Sequence, residues 1–285
     1  METVYLNGDY LPLDEASISP LDRGFLFGDG IYEVIPSYAG RLVGFIPHLQ
    51  RMQNGLDAIE IDLRLEPEAW RAIAARLITL NGGGNLALYL HVSRGADSSR
   101  HHAYPDNIQP TIFAFASPIA PQTPADKDKV APYSVITAED LRWQRCNIKS
   151  TSLLGNVLHY QSGHAAGYNE TILYNPRGEI TEAAACNVYV IKNGVVATPE
   201  LDEQKLPGVT RQILLAILAR DGGIPVEERV ITMDELRTAD EVWLSSSSKD
   251  IVPVTRIDDR PVAMGHIGDV WLAAQTLFSA HKFEY

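Results

Sequence analysis

The amino-acid sequence predicts an α+β protein of two domains. Segments typical of strands and of helices follow one another without the regular strand-helix-strand alternation of a doubly wound parallel sheet. No segment repeats along the chain, so a solenoid or a propeller is not indicated. Residues 118–129 contain three prolines and then the charged run Asp126 to Lys129, a composition that favours a solvated linker. We therefore expect a smaller N-terminal α+β domain at 1–117, a linker at 118–129 and a larger C-terminal domain at 130–285.

Turn residues and apolar periodicity predict the elements of the N-terminal domain. Asn7-Gly8 lies between two apolar runs, which is typical of a hairpin with a type I′ turn. Two helices and then two buried strands follow, at Pro47–Ile59, Pro67–Leu80, Leu86–Val92 and Thr111–Ala116. The polar loop Arg94–Asn107 connects these two strands, and a loop of that length in a compact domain is often functional.

The C-terminal domain shows the same mixture of elements. The predicted strands are Tyr133–Thr137, Glu170–Tyr174, Asn187–Lys192, Val195–Thr198 and Val242–Ser245. The predicted helices are Thr151–Gly167, Val209–Arg220 and Ile267–Lys282. Asn193-Gly194 is the turn that joins the third strand of this domain to the fourth.

Charge and cysteine content narrow the possible functions. The net charge is -12, so general binding to nucleic acid or to an anionic membrane is not expected. No apolar run has the length of a membrane span, and the first residues lack the features of a signal peptide, so we expect a cytoplasmic protein. Cys146 and Cys186 are forty positions apart and suggest neither a disulfide framework nor a zinc cluster. The adjacent His101 and His102 have no third ligand at a convincing spacing, so we predict no metal.

Familiar nucleotide-binding and hydrolase motifs are absent from the sequence. Gly24, Gly28 and Gly30 do not form G-x-G-x-x-G, and neither G-x-x-x-x-G-K-[ST] nor G-x-S-x-G occurs. The sequence therefore gives no support to a nucleotide-binding protein or a serine hydrolase.

Two ionisable residues lie next to predicted elements, and each could be either a functional residue or an ordinary surface residue. Lys149 directly precedes a predicted helix that Ser150 or Thr151 could cap, and such a junction can hold a lysine amine in a fixed place. A surface lysine is the more common explanation of this pattern. Glu182 follows a turn, and most acidic residues in that position are solvated.

Two further segments offer hydrogen-bond donors to an anion. In Leu206–Arg211, a proline and a glycine lead into an amphipathic helix, and its first N–H groups with the Thr210 hydroxyl could cradle a phosphate. A plain helix start explains the segment equally well. The run Ser245–Ser248 ends a strand and supplies hydroxyl groups, although a polar turn has the same composition.

Considered together, these segments resemble the class IV aminotransferases over nearly the whole chain, and within that family the D-amino acid aminotransferases of bacteria. The order and spacing of the segments are more specific than any one of them. The segments that carry the resemblance are Asp22–Val34 (DRGFLFGDGIYEV), His48–Arg51, Glu139–Trp143, Arg145–Ser150, Ile180–Glu182, Leu206–Arg211 and Ser245–Ser248.

The resemblance implies fold type IV, a two-domain α+β architecture, and pyridoxal 5′-phosphate as cofactor. Lys149 matches the lysine that forms the Schiff base, Glu182 the carboxylate facing the pyridine nitrogen, and Leu206 the leucine packed on the ring. The residues that match the phosphate contacts are Arg51, Val209, Thr210, Ser246 and Ser247. Such an enzyme moves the amino group of an amino acid to a 2-oxo acid.

A smaller set of residues implies D-amino acids, such as D-alanine or D-glutamate, as substrates. Tyr32, Arg100 and His102 match the family residues that bind the substrate carboxylate, and in the family the Arg-x-His pair comes from the partner subunit of a homodimer. The loop here is one residue longer than the family pattern, so His101 could take the role of His102. The segment Ala183–Cys186 replaces the glycine and serines expected after Glu182.

Other activities of the same fold share the lysine and the carboxylate. Branched-chain L-amino acid aminotransferase, (R)-amine transaminase and aminodeoxychorismate lyase are the alternatives, and the Arg100 and His102 loop favours the D-amino acid activity over them. A protein that holds pyridoxal phosphate without turnover is the alternative from another class. The presence of Lys149, Glu182 and the carboxylate-binding residues argues against that alternative.

Overall fold

The computed structural model describes residues 2–221 and 223–285. These residues divide into two compact units. The first unit comprises the chain up to Pro121 together with Ile148–Leu153 and Tyr285, and the second comprises Gln122–Asn147 and Leu154–Glu284. The division at Pro121 falls within the segment 118–129. Both units mix helices and sheet, so the predicted α+β class is confirmed.

The first unit is an antiparallel sheet with helices packed on it. Its strands are β1 (Thr3–Leu6), β2 (Asp9–Pro12), β3 (Gly30–Tyr38), β4 (Arg41–Leu42), β5 (Asn85–Ser93) and β6 (Thr111–Pro118). Its helices are α1 (Arg23–Phe27), α2 (Phe45–Ala58) and α3 (Pro67–Leu80). The strand order is β2-β1-β6-β5-β3-β4, with antiparallel pairing throughout the described residues. The core forms where α2 and α3 cover the sheet with residues such as Ile31, Met52 and Leu77.

The second unit contains a larger mixed sheet. Its strands are β7 (Tyr133–Glu139), β8 (Glu170–Tyr174), β9 (Ile180–Ala183), β10 (Asn187–Lys192), β11 (Val195–Thr198), β12 (Val226–Glu228), β13 (Glu241–Ser246), β14 (Asp250–Ile257) and β15 (Arg260–Pro261). Its helices are α4 (Leu154–Ala165), α5 (Val209–Asp221), α6 (Met233–Arg237) and α7 (Asp269–His281). The main path of the sheet is β12-β11-β10-β13-β14-β7-β8-β9. Helix α5 packs on β13 and on α7.

The short helix α1 is fixed at both ends by side chains and turns. Asp22 is its N-cap and accepts a hydrogen bond from the Gly24 N–H at 2.8 Å. The same carboxylate accepts hydrogen bonds from the hydroxyls of Ser93 and Thr111, each at 2.7 Å. Gly28 ends the helix with φ +67°, and a β-carbon at this position would lie 2.4 Å from Ser152 Oγ. The DRGFLFG segment therefore needs its aspartate and its last glycine for structural reasons.

The segment around Lys149 differs from its prediction in two ways. The helix expected at Thr151–Gly167 begins only at Leu154, so the expected capping role of Ser150 or Thr151 is wrong. Instead, the Thr151 N–H donates to the Gly30 carbonyl at 2.9 Å, and the Lys149 carbonyl accepts from the Tyr32 N–H at 3.1 Å. These bonds attach the segment to the start of β3. Lys149 therefore lies in the first unit, whereas the sequence placed it in a C-terminal domain at 130–285.

Among the described residues, no helix combines the length and the apolar character needed to cross a membrane. The same residues contain no group of three or more His, Cys, Asp or Glu side chains arranged to hold a metal ion.

Candidate active-site residues

In the first unit, Lys149 lies against the ring of Tyr32. The lysine amine is 4.2 Å from the centre of that ring, and the hydrogen bonds of the Lys149 carbonyl and the Thr151 N–H with β3 restrict where the amine can reach. Tyr32 in turn stacks on Tyr89, with ring centres 5.6 Å apart, and Tyr89 stacks on Phe115 at 4.9 Å. The structure thus brings together two of the predicted residues, Lys149 and Tyr32. The stacked rings of Tyr89 and Phe115 support the Tyr32 ring.

Arg51 belongs to a buried charged group centred on Glu33 of β3, and the charge of Lys149 is near enough to act on His48 of this group. Its guanidinium donates two hydrogen bonds of 2.7 Å to the two carboxylate oxygens of Glu33, and His48 Nδ1 lies 2.6 Å from the same carboxylate. Burial alone would raise the pKa of Glu33, but Arg51 and His48 outweigh it and hold that pKa far below its usual range. Glu33 and His48 are neighbours of Arg51 that the sequence did not identify, because Glu33 lies fifteen positions before His48 and eighteen before Arg51.

In the second unit, Glu182 is buried rather than solvated. Arg142 Nη1 donates to one of its carboxylate oxygens at 2.5 Å, and the Leu206 N–H donates to the other at 3.0 Å. Burial raises the pKa of Glu182, while Arg142 and the Leu206 N–H act in the opposite direction. Arg142 is itself held by Asp140 at 2.7 Å. The sequence did not single out Arg142, although the Glu139–Trp143 segment was among those that carry the resemblance.

The start of α5 is held by Asn187. Its side-chain amide donates to the Leu206 carbonyl at 3.0 Å, and a β-carbon on Gly208 would lie 1.9 Å from Asn187 Oδ1. The backbone at 208 therefore approaches Asn187 as closely as only glycine permits. Val209 and Thr210 form the first turn of α5 and are buried. N–H groups in the first turn of a helix have no partner within the helix and are donors to an anion.

The serines at the end of β13 have different environments. Ser245 exchanges a 2.8 Å hydrogen bond with the Tyr189 hydroxyl. The Ser246 hydroxyl is buried beside the Cys186 thiol, and no hydrogen bond of normal geometry satisfies it in the described part of the chain. Ser247 follows the end of the strand and is half-buried. An unsatisfied buried hydroxyl is costly unless a ligand or water completes it, so Ser246 is a candidate contact.

Arg100 and His102 lie on the loop that follows β5. Both side chains are exposed and both approach the ring of Phe27, the Arg100 guanidinium carbon at 5.0 Å and the His102 ring centre at 5.4 Å. The ring of Tyr32, in contrast, contacts Tyr89 and Lys149. The His101 side chain is also exposed, and its carbonyl accepts a hydrogen bond from Arg23.

Comparison with known proteins identifies the family. The chain is 37% identical over 290 residues to a D-alanine aminotransferase of Staphylococcus aureus, covering 99% of this chain and 98% of that protein. A D-alanine aminotransferase of Listeria monocytogenes is 37% identical over 269 residues, covering 94% of this chain and 91% of that one. The structure superposes on the branched-chain aminotransferase of Thermoproteus uzoniensis with a TM-score of 0.88 at 22% identity, covering 99% of this chain and 95% of that one, which confirms the predicted fold type IV. The family model for class IV amino-transferases matches residues 30–257, so the chain belongs to the class IV aminotransferases.

Proposed function

We propose that this protein is a pyridoxal-phosphate-dependent transaminase that moves the amino group of a D-amino acid, such as D-alanine or D-glutamate, to a 2-oxo acid. The observation that carries the proposal is the 37% identity, over nearly the full length, to proteins named D-alanine aminotransferase. The branched-chain aminotransferases among the structural relatives are 21–23% identical, and similarity at that level supports the fold alone.

The chemistry of the proposed residues fits pyridoxal phosphate. Lys149 would hold the cofactor covalently, and its backbone is fixed by β3. Glu182 would face the ring nitrogen, and Leu206, whose N–H binds that carboxylate, would pack on the ring. The phosphate would be held by Arg51, Val209, Thr210, Ser246 and Ser247. The unsatisfied Ser246 hydroxyl and the close packing of Gly208 on Asn187 are the observations that support a built anion site.

Lys149 would transfer the proton of the substrate Cα, and Glu182 would supply a negative charge beside the ring nitrogen of the cofactor. When bound, the cofactor supplies an electron sink for the pair left at the substrate Cα. Once the substrate amine has displaced it, the free Lys149 amine would take the proton from Cα and return one on the same face to C4′ of the cofactor. Glu182, fixed by Arg142, would keep a proton on the ring nitrogen, because a carboxylate at that position favours the charged form of the ring.

Substrate selectivity would come from the residues that bind the α-carboxylate. We place Tyr32, Arg100 and His102 in this role, with Arg100 and His102 contributed by the second subunit of a homodimer. An arginine fork matches a planar carboxylate and fixes which side of Cα faces the lysine. His101 remains the alternative to His102, because both histidines lie on the exposed part of the loop.

A donor screen tests the function against its alternatives. D-alanine and D-glutamate should be transaminated faster than L-leucine and (R)-1-phenylethylamine, with a 2-oxo acid as acceptor. Faster turnover of L-leucine would contradict the D-amino acid assignment. Release of pyruvate from aminodeoxychorismate without an acceptor would indicate a lyase, and the absence of any half-reaction across a broad amine panel would indicate a protein that only binds the cofactor.

A further inference from the structure

We propose that Arg23 and Phe27 are positioning residues for the substrate carboxylate, because together they set the place of Arg100 and His102. We call residues 94–107 the clamp loop. The inference rests on the proposed function, in which Arg100 and His102 bind that carboxylate. It assigns a role to two residues of the DRGFLFG segment that the chemistry of the cofactor does not use.

Arg23 holds the backbone of the clamp loop at three consecutive carbonyls. Its Nη1 donates to the His101 carbonyl at 2.5 Å and to the Ala103 carbonyl at 3.3 Å, and its Nη2 donates to the His102 carbonyl at 3.1 Å. The remaining Nε donates to Asp29 at 2.8 Å. Arg23 is 3% exposed, although the loop that it binds is exposed. A planar guanidinium can bind several carbonyls at fixed angles, which the ammonium of a lysine cannot reproduce.

Phe27 holds the side chains of the same loop. The guanidinium carbons of Arg23 and Arg100 lie 4.9 Å and 5.0 Å from the centre of its ring. The His102 ring centre is 5.4 Å away, with a tilt of 38°. Contacts between cations and an aromatic face are favourable and directional. One ring therefore contacts both proposed carboxylate ligands, and the arginine that fixes their backbone.

At its start, the clamp loop is also held by backbone contacts: the Arg23 N–H donates to the Gly95 carbonyl at 2.9 Å, and Asp22 forms a β-bridge with Ala96. The loop residues from Ser98 to Tyr104 are exposed, so apolar burial contributes little to holding them. Arg94 adds one contact, with its guanidinium carbon 3.5 Å from the centre of the Tyr104 ring. Arg94 and Arg23 both donate to Asp29. Beyond Ala96, the contacts that hold the loop come mainly from the guanidinium groups of Arg23 and Arg94 and from the ring of Phe27.

Helix α1 connects the clamp loop to the segment that carries Lys149. The Ser152 hydroxyl donates to the Phe27 carbonyl at 3.3 Å and to the Gly28 carbonyl at 3.1 Å. Two residues further on, the Gly30 carbonyl accepts from the Thr151 N–H. A shift of α1 would therefore displace both the clamp loop and the segment that carries Lys149.

The first arm of the test is steady-state kinetics of the holoenzyme. Phe27→Leu removes the ring, Phe27→Tyr keeps it, and Phe25→Leu is the matched control on the same helix, at a side chain that is 70% exposed. We expect Phe27→Leu and Arg23→Gln to raise KM for D-alanine by about ten-fold or more with kcat within about three-fold, because ground-state binding of the carboxylate is what weakens. Phe27→Tyr and Phe25→Leu should remain close to wild type.

The second arm is hydrogen exchange of the backbone, which does not depend on activity. Phe27→Leu and Arg23→Gln should increase exchange in residues 97–104, while α2 and α3 keep wild-type protection. Unchanged exchange in 97–104, or a rise spread over the whole first unit with kcat and KM affected alike, overturns the inference. If wild type does not transaminate D-alanine, the proposed function fails, and exchange in 97–104 still decides whether Arg23 and Phe27 position the loop. If Arg23→Gln does not fold, the three phenylalanine variants give the answer.

Discussion

Glu33 is a carboxylate with no exposure to solvent that is kept charged by its neighbours. Arg51 binds both of its oxygens and His48 binds one of them. A buried charge of this kind is tolerated only while its partners remain, and removal of one partner costs about 3–5 kcal/mol. The group therefore fixes Arg51 on α2 before any ligand binds.

The charge of Glu33 makes stability depend on pH. Its pKa is lowered in the folded protein, so its contribution is fully present above the unfolded pKa of about 4.3 and is lost as the pH falls below that value. In urea unfolding between pH 7 and the lowest pH at which both proteins fold, wild type should lose up to about 1.4 kcal/mol more per pH unit below pH 4 than Glu33→Gln. Parallel curves for the two proteins would contradict this.

Arg51→Lys tests whether the same group holds the cofactor phosphate. Lysine keeps the charge beside Glu33 but loses the planar fork, so Glu33 stays paired while the geometry of the anion site is disturbed. We expect the cofactor to dissociate at least about ten-fold more readily during dialysis, with a smaller loss of stability than Arg51→Ala. Retention equal to wild type would place the phosphate elsewhere.

Lys149 is the residue whose role is most directly testable. Borohydride reduction of the holoenzyme followed by peptide mapping should place the pyridoxyl group on Lys149, because its amine is held beside Tyr32 by a fixed backbone. Lys149→Ala should remove turnover and the reducible label together. A label on Lys192 or Lys205, which pair with Asp240 and Asp202, would refute the assignment.

At the scale of the element, local pattern predicted most helices and strands. Pro67–Leu80, Glu170–Tyr174, Asn187–Lys192 and Val195–Thr198 are confirmed with their predicted bounds. Strands β3 and β14 were missed, and each contains a proline, Pro36 or Pro253, which normally argues against a strand interior. In β3 the proline is tolerated because β4 pairs only with the residues that follow it. In β14, pairing with β7 likewise begins after its proline.

The candidate site could be predicted only in part, because the residues that contact one another in it are distant in sequence. Lys149 and Glu182 have no distinctive local pattern, and only the order of several segments pointed to them. The buried Glu182 carboxylate accepts hydrogen bonds from Arg142, forty positions away, and from the N–H of Leu206, three residues before α5. Contacts between residues this far apart cannot be read from the spacing of residues in the sequence. The expected helix cap after Lys149 failed for the same reason, since Gly30 is the partner of Thr151.

The N-terminus of α5 gives a prediction about an element. Gly208→Ala would bring a β-carbon to 1.9 Å from Asn187 Oδ1, so either the helix start or Asn187 must move. We expect the affinity for pyridoxal phosphate to fall by about ten-fold or more, because the first N–H groups of α5 would no longer point at the phosphate. Gly223→Ala is the matched control, since its β-carbon would meet only the Asp221 carbonyl at 4.0 Å. Equal affinity in the two variants would remove α5 from the phosphate site.

At the scale of the whole molecule, exposed apolar residues support the proposed homodimer. Leu154, Val157 and Leu158 of α4 are 71%, 55% and 62% exposed, and their spacing puts them on one face of the helix. An apolar helix face of this kind is typical of a contact with another chain. The clamp loop is the second reason to expect a partner, because Arg100 and His102 are exposed and contact Phe27, whereas Tyr32 contacts Lys149.

A shared active site can be tested by mixing two inactive chains. Lys149→Ala lacks the reactive amine, and Arg100→Ala should bind D-alanine poorly, by an estimated factor of about ten to a thousand in kcat/KM. In a heterodimer, the subunit that keeps Lys149 would receive Arg100 from its partner, so one of the two sites would be intact. Random exchange makes half of the dimers heterodimers, and we therefore expect about one quarter of wild-type activity at low D-alanine.

The control is a mixture of chains in which no active site can have the Lys149 amine. Lys149→Ala mixed with a chain that carries both Lys149→Ala and Arg100→Ala should stay inactive, because no site then has the amine. Native mass spectrometry of tagged chains would verify that subunits exchange. If heterodimers form and activity does not recover, Arg100 does not act across the interface, and its partner must be sought within its own chain. Recovery close to one quarter would instead show that each clamp loop, held by its own Arg23 and Phe27, serves the neighbouring subunit.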